Sequence, residues 1–435
     1  MGDARDGVPA RYRAPAVGLS TEILLSSVVT AALSIAVMEA VRAVGARRRR
    51  RMSQWLEDAP SEREIDSVLR RIERRPRPSG QPGPGALTAA VMTVVLGTAV
   101  ATVAISRAEG GLDGFGVAHV AYLTLTVGVP IVGAWVLART WVARIRVGER
   151  SPGWTGALGA VAMLPAALGY WASFVAPFDL REDTVSVVVD DPLSGEAPDA
   201  DEPLTIAVVA DIQTDDVGSY ERDAVERVTA AAPDLIVVVG DVFQSSRTEW
   251  ERALPEITDL LATLDAPGGV YVVPGNVDEV DLLARATEDA GHTFLENDIV
   301  RTSAGGRTVI IGGLEFFYAR PEPGRTIAEL EALPSASDDL RLLLAHSPDA
   351  VTELADDSSV DLVISGHTHG GQVAIPLFGP PVTATERVDR DVAAGGLSEV
   401  DGNAIYVSTG IGVERGQAPQ VRFLVPPSYG LLTVG

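Results

Sequence analysis

Apolar positions divide this chain into two parts with different patterns. Before about residue 180 they form long unbroken stretches at 19–44, 86–106, 117–138 and 154–178. A helix that crosses a bilayer needs roughly 20 consecutive, mostly apolar residues. The second and fourth stretches carry no charge, the third holds only His119, and the first is flanked by Glu22, Glu39 and Arg42. Beyond Pro203 the pattern changes to short apolar runs at 204–210, 235–239, 270–273, 342–345 and 362–364, separated by helical stretches at 220–232, 249–264 and 280–290. Short β-rich runs alternating with helices predict a layered α/β domain. The expected organisation is a four-span helical membrane domain at 1–180, an acidic linker at 181–203 and a soluble α/β domain at 204–435.

Charge follows the same division. Residues 1–178 hold 20 Arg against 13 acids, whereas 179–435 hold 15 Arg against 46 acids. The negative half argues against a nucleic-acid partner, because a phosphate backbone needs a positive surface. Arginines cluster at 47–51 and 70–77, and again at 139–150. The positive-inside rule places both clusters in the cytoplasm and predicts a multi-pass protein of the cell membrane with its C-terminal domain outside. The chain has no Cys, so disulfides and thiolate metal sites are excluded.

Candidate chemistry sits where the predicted strands stop. The run at 204–210 is followed by Asp211, that at 235–239 by Gly240-Asp241, and that at 270–273 by Pro274-Gly275-Asn276. The run at 342–345 precedes His346, and that at 362–364 precedes Gly366-His367-Thr368-His369-Gly370-Gly371. Ligands bind at the carboxyl ends of strands in open α/β sheets. Asp, Asn and His are oxygen and nitrogen donors for divalent ions such as Mn, Fe or Zn. Any one of these residues could instead cap a helix or make a turn, but the arrangement recurs at five strand ends.

In order and spacing, Asp211-Ile212-Gln213, Gly240-Asp241, Gly275-Asn276-Val277-Asp278, His346 and Gly366-His367-Thr368-His369 resemble the signature of calcineurin-like metallophosphoesterases. The membrane-associated bacterial and archaeal branch is the most similar, through Gly370-Gly371-Gln372-Val373, Ser408-Thr409-Gly410, Arg422-Phe423 and Pro426-Pro427. The resemblance implies a two-sheet sandwich flanked by helices and two divalent metal ions. Asp211, Gln213 and His369 would hold the first, Asn276, His346 and His367 the second, and Asp241 would bridge them. It further implies that a hydroxide activated between the metals attacks a phosphodiester or pyrophosphate, a lipid-linked one being an option. Asp241, Asn276, His346 and Asp278 would take catalytic roles, and Asn276, Gly370 and Gly371 would bind substrate. Two positions depart from the pattern. Gln213 replaces the usual His, and Val277 replaces a His that would assist the leaving group, so that substrates with good leaving groups would be favoured, or Asp278 or a metal-bound water would substitute. The competing reading is a catalytically degenerate sensor that binds metal or phosphate on a membrane anchor.

Overall fold

The computed structural model describes residues 18–57, parts of 90–100, 112–147, 153–189, 192–194 and, apart from 317–320, 335, 337–338 and 357, residues 203–435. These fall into two compact units, one holding 172–416 and 420–435, the other 15–171 and 417–419.

The helical unit contains α1 (Gly18–Glu57), α2 (Gly114–Leu123), α3 (Val129–Val147) and α4 (Gly153–Val161). A π-helical segment, Thr124–Gly128, joins α2 to α3, so that Gly114–Ile145 runs on as one largely apolar helical stretch of 32 residues. Helix α4 is followed by α5 (Leu164–Phe174), and Trp154–Phe178 forms a second apolar stretch of 25 residues. Both are long and apolar enough to cross a membrane. The expected four spans are therefore reduced to two candidates among the described residues. In α1 the apolar part is only Ser27–Val41, which itself contains Glu39. The stretch at 86–106 lies largely outside the described residues.

The other unit begins earlier than expected. Residues Arg181–Val187, assigned above to the linker, form strand β1. It pairs in parallel with β12 (Ser428–Val434), from Arg181 opposite Ser428 to Val187 opposite Val434. The alternation Thr184-Val185-Ser186-Val187 carries this strand, with Val187 buried. Tyr406 Oη donates to Asp183 Oδ2 at 2.8 Å, and Tyr429 Oη to Glu182 Oε2 at 2.8 Å.

Two six-stranded sheets follow. The first has the order β1-β12-β2-β3-β4-β5, with β2 Leu204–Val209, β3 Leu235–Val239, β4 Val270–Val273 and β5 Thr293–Phe294. The second has the order β10-β11-β9-β8-β7-β6. Its strands are β6 Asp298–Ala304, β7 Arg307–Gly313, β8 Leu340–Leu344, β9 Leu362–Ser365, β10 Gly396–Val400 and β11 Asn403–Val407. Central strands read as continuous apolar runs because both of their faces are buried. Ile206, Val208, Leu235, Val237 and Val239 pack with Val309, Ile311, Leu342, Leu344 and Ile364 of the second sheet in one core. Alternate residues Ala207, Val209, Ile236 and Val238 face helices α6 (Ser219–Ala230), α7 (Arg247–Leu261) and α8 (Val280–Asp289). On the second sheet Ile310, Leu343 and Val363 pack against α9 (Pro321–Ala332) and the 3-10 turn Pro348–Glu353. The central strands β2, β3 and β4 are mutually parallel, as are β7, β8, β9 and β11. Their carboxyl ends carry the candidate ligands.

A fragment starting at residue 204 should melt well below one starting at residue 179 and aggregate more readily. Without β1, strand β12 becomes an unpaired edge. Equal melting temperatures in differential scanning fluorimetry would show that β1 adds nothing to the fold.

Candidate active site

Each candidate ligand stands two to four residues past a strand, and five bear unusual backbone angles. Asp211, Asp241, His367, His369 and Gln213 have φ of 50°, 55°, 71°, 49° and 43°. A non-glycine residue in this left-handed region costs about 1–3 kcal/mol, and such residues cluster at functional sites. Hydrogen bonds hold them there. Asp211 N–H donates to Gly240 O at 3.1 Å and Gln213 N–H to Asp241 O at 2.8 Å. His367 N–H donates to both Asp211 carboxylate oxygens at 3.0 Å, and Val277 N–H to Asp241 Oδ1 at 3.0 Å. Two glycines permit this crowding. A Cβ on Gly275 would fall on the Asp241 carboxylate, and one on Gly366 would lie 2.5 Å from Asp211 Oδ2.

The side chains converge. His346 Nε2 lies 3.1 Å from Asp241 Oδ2, 3.2 Å from Asn276 Oδ1 and 3.9 Å from Asp211 Oδ1. His369 Nε2 lies 3.7 Å from Asp211 Oδ1. Asp241, His346 and His367 each offer a donor atom, and these atoms lie within 4.8 Å of one another. The His346 and His367 rings stand edge-on at 5.0 Å, and Phe316 covers both, at 5.8 and 5.4 Å. The far nitrogen of each ring is tethered. His346 Nδ1 meets Val239 O at 2.6 Å, and His367 Nε2 meets Ala384 O at 3.1 Å. Arg422, fully buried, donates to the backbone carbonyls of His369, Thr409 and Gly412 and approaches His369 Nδ1 at 3.2 Å.

These donors fit a divalent cation. Two buried atoms of the cluster, Gln213 Oε1 and His369 Nε2, have no hydrogen-bond partner. A buried unpaired acceptor costs about 1–3 kcal/mol unless something binds it. Burial raises the Asp211 carboxyl to about 7, although His346 works against it. Burial would also raise Asp241, but His346 outweighs it and holds that carboxyl low. Burial opposes a charged His346, yet Asp241 and Asp211 prevail and push it up to about 10. His367 is driven down to about 4 by burial and by His346. One positive centre is thus drawn in by two carboxylates, while the neighbouring imidazole stays neutral and free to donate an electron pair.

The structure brings Asp211, Gln213, Asp241, Asn276, His346, His367 and His369 together. Three expected residues do other work. The Asp278 carboxylate accepts backbone N–H bonds from Asp241 at 2.8 Å, Gly275 at 2.9 Å, Val242 at 2.9 Å and Phe243 at 3.3 Å. Its oxygens are committed to shaping the Asp241 loop, which corrects its assignment to the leaving group. Gly370 and Gly371 were expected to bind substrate, but their N–H groups are bonded to Thr368 Oγ1 at 3.2 Å and Thr368 O at 2.7 Å. A Cβ on Gly371 would strike Pro380 at 2.5 Å, so this glycine serves loop packing. Sequence reasoning missed Glu414, whose carboxylate meets Gln213 Nε2 at 3.3 Å and Gln244 Nε2 at 3.4 Å. Burial and Asp241 push its carboxyl up to about 7. It follows no strand and belongs to no local motif, so only the fold brings it to the site.

Known proteins resemble this chain over its C-terminal part. The family model described as calcineurin-like phosphoesterase matches residues 204–371. The chain is 30% identical over 201 residues to the phosphodiesterase YaeI of Escherichia coli (strain K12), spanning 45% of this chain and 69% of that one. It is 29% identical over 294 residues to the uncharacterized metallophosphoesterase YkuE of Bacillus subtilis (strain 168), spanning 65% of this chain and 95% of that one. Among solved structures, the NAD nucleotidase of Haemophilus influenzae is similar over 50% of this chain and 46% of its own, at 13% identity and a TM-score of 0.34. This chain belongs to the calcineurin-like phosphoesterase family. Membership supports a phosphoester hydrolase that works with divalent metal ions.

Asp278→Ala should lower stability by about 3 kcal/mol or more, since it strips several backbone N–H groups of their acceptor. A melting temperature within about 2 °C of the parent would refute the role assigned to Asp278, because 1 kcal/mol already moves Tm by roughly 2–4 °C in a domain of this size.

Proposed function

We propose that this chain is a membrane-associated, dinuclear-metal phosphohydrolase acting on a phosphodiester or pyrophosphate, with a lipid-linked substrate favoured. The observation that carries the chemistry is the pair Asp211 and Asp241. Both are buried and ringed by His346, His367 and His369 on loops from both sheets. Asp211, Gln213 and His369 would hold one cation, Asn276, His346 and His367 the other, and Asp241 would bridge them. Two such cations, when bound, supply Lewis-acid activation of water and of the phosphoryl group. The chain's own residues fix the donors in place, exclude water with Phe316 and balance the charge with Arg422 behind His369. No side chain described here is placed to protonate a leaving group. Val277 is apolar and the Asp278 carboxylate is occupied, so esters with good leaving groups should be preferred. Mn is the favoured metal, because Gln213, Asn276 and two carboxylates make the set rich in oxygen. The sensor alternative is not favoured, since the donor cluster is intact apart from Gln213.

Two observations support a membrane setting. Among the described residues, two helices are apolar and long enough to cross a membrane, and Arg146 and Arg150 lie between them. By the positive-inside rule, the phosphoesterase domain is then extracytoplasmic. Near the metal motif, residues 368–385 contain no Asp, Glu or Arg. This segment presents Leu377, fully exposed, and Phe378, 75% exposed, at a turn closed by an Ile375–Gly379 bridge. Its far end reaches Ala384, the partner of His367.

The purified protein should hydrolyse bis-nitrophenyl phosphate only with added divalent metal. Asp241→Asn should cut turnover and metal content by more than the roughly 10- to 100-fold that outer-shell changes already cost. Metal-independent turnover, or full activity in Asp241→Asn, would sink the mechanism. Leu377→Asp combined with Phe378→Asp should slow hydrolysis of a vesicle-embedded lipid phosphodiester about 10- to 100-fold, given ~1.5 kcal/mol per large apolar side chain removed from water. The same variant should leave the water-soluble ester unaffected, and equal loss on both substrates would argue against a lipid-facing tip.

A further inference from the structure

We propose that Glu414 is a positioning residue for the metal centre, holding the Gln213 amide so that its carbonyl oxygen is the end presented to the cation. The inference rests on the metal-binding reading above. Gln213 is completely buried. Its Nε2 donates to Glu414 Oε2 at 3.3 Å, whereas its Oε1 has no partner. The Glu414 oxygen that faces Gln213 accepts from the NH2 end of the amide, and this contact turns the amide oxygen away. A glutamine without such a partner could flip and present N–H groups, which repel a cation.

Two further amide contacts hold Glu414 itself. Its backbone N–H donates to Gln372 Oε1 at 2.8 Å, and its Oε1 accepts from Gln244 Nε2 at 3.4 Å. Gln244 Oε1 in turn accepts from Arg415 N at 3.1 Å. The main chain of Gln213 is clamped as well. Its N–H donates to Asp241 O at 2.8 Å, and its carbonyl accepts from Arg415 Nε at 2.5 Å. Arg415 is braced by Asp215, also at 2.5 Å. Within this set of side chains, Gln213 Oε1 is the atom left unbonded.

The arrangement also bears on metal choice. An amide oxygen is a harder donor than the imidazole usual at this position in the family, and hard donors suit Mn²⁺ better than Zn²⁺. A carboxylate bonded to the NH2 end polarises the amide and makes its oxygen a better donor, as outer-shell carboxylates do for ligating imidazoles. Glutamine and glutamate thus act together in place of one histidine.

The test is a double-mutant cycle on the full-length protein in detergent, read as Mn²⁺ affinity by isothermal titration calorimetry. Glu414→Gln should weaken the affected Mn²⁺ site about 10- to 100-fold in the parent background. In a Gln213→Ala background it should have almost no further effect, since the two residues act as one unit. Gln244→Ala, which removes only one tether of Glu414, should give a smaller loss in the same direction and serves if Glu414→Gln does not fold. Gln213→His should shift preference from Mn²⁺ towards Zn²⁺. Unchanged Mn²⁺ affinity in Glu414→Gln, or an equal loss in both backgrounds, would overturn this assignment alone. A parent protein that binds no divalent cation would overturn the metal-dependent function with it.

Discussion

Everything at this site depends on keeping two carboxylates, Asp211 and Asp241, in a place with almost no water. Burying one unpaired charge costs several kcal/mol even after the protein relaxes. The surroundings are built to offset that cost. His346 lies near both carboxylates, backbone N–H groups from His367 and Val277 point at them, and a buried Arg422 stands behind His369. Left-handed backbone angles at five of the ligand positions follow from the same demand. The chain must turn sharply after each strand for its side chain to reach a common centre. Glycine is required at 275 and 366 because the carboxylates occupy the space a Cβ would need.

That demand explains the use of two sheets. Asp211, Asp241 and Asn276 follow strands of the first, and His346, His367 and His369 follow strands of the second. Acids and imidazoles arrive from opposite sheets and meet across the inter-sheet core. Packing of Ile206, Val208 and Val237 against Ile311, Leu342 and Ile364 therefore fixes the distance between carboxylate and imidazole. Small volume changes in that core would be felt as changes in donor geometry.

The layered α/β architecture was legible in the sequence, because buried parallel strands must read as short apolar runs, and so were the residues that close each run. Three kinds of information were not. Strand β1 was hidden because acidic residues on an edge strand resemble a linker, and its pairing with β12 joins segments almost the whole domain apart. Asp278 was read as a proton donor because its sequence position says nothing about which backbone amides will claim its oxygens. Glu414 was invisible because its partners, Gln213, Gln244 and Gln372, come from three other loops. Among the membrane stretches, hydropathy alone overstated the first, whose apolar part is only Ser27–Val41.

The placement of β12 bears on the order in which the domain can be built during synthesis. This strand lies between β1 and β2, hydrogen-bonded to both, although more than 200 residues separate it from either. Until residue 434 has left the ribosome, β2 exposes an unpaired edge and β1 has nothing to pair with. The nascent domain must therefore remain incomplete through most of its translation. Such long-range closure slows folding and leaves strand edges exposed meanwhile. A ribosome stalled just before residue 428 would hold a chain that carries every proposed ligand of the site and still lacks the strand that closes the first sheet.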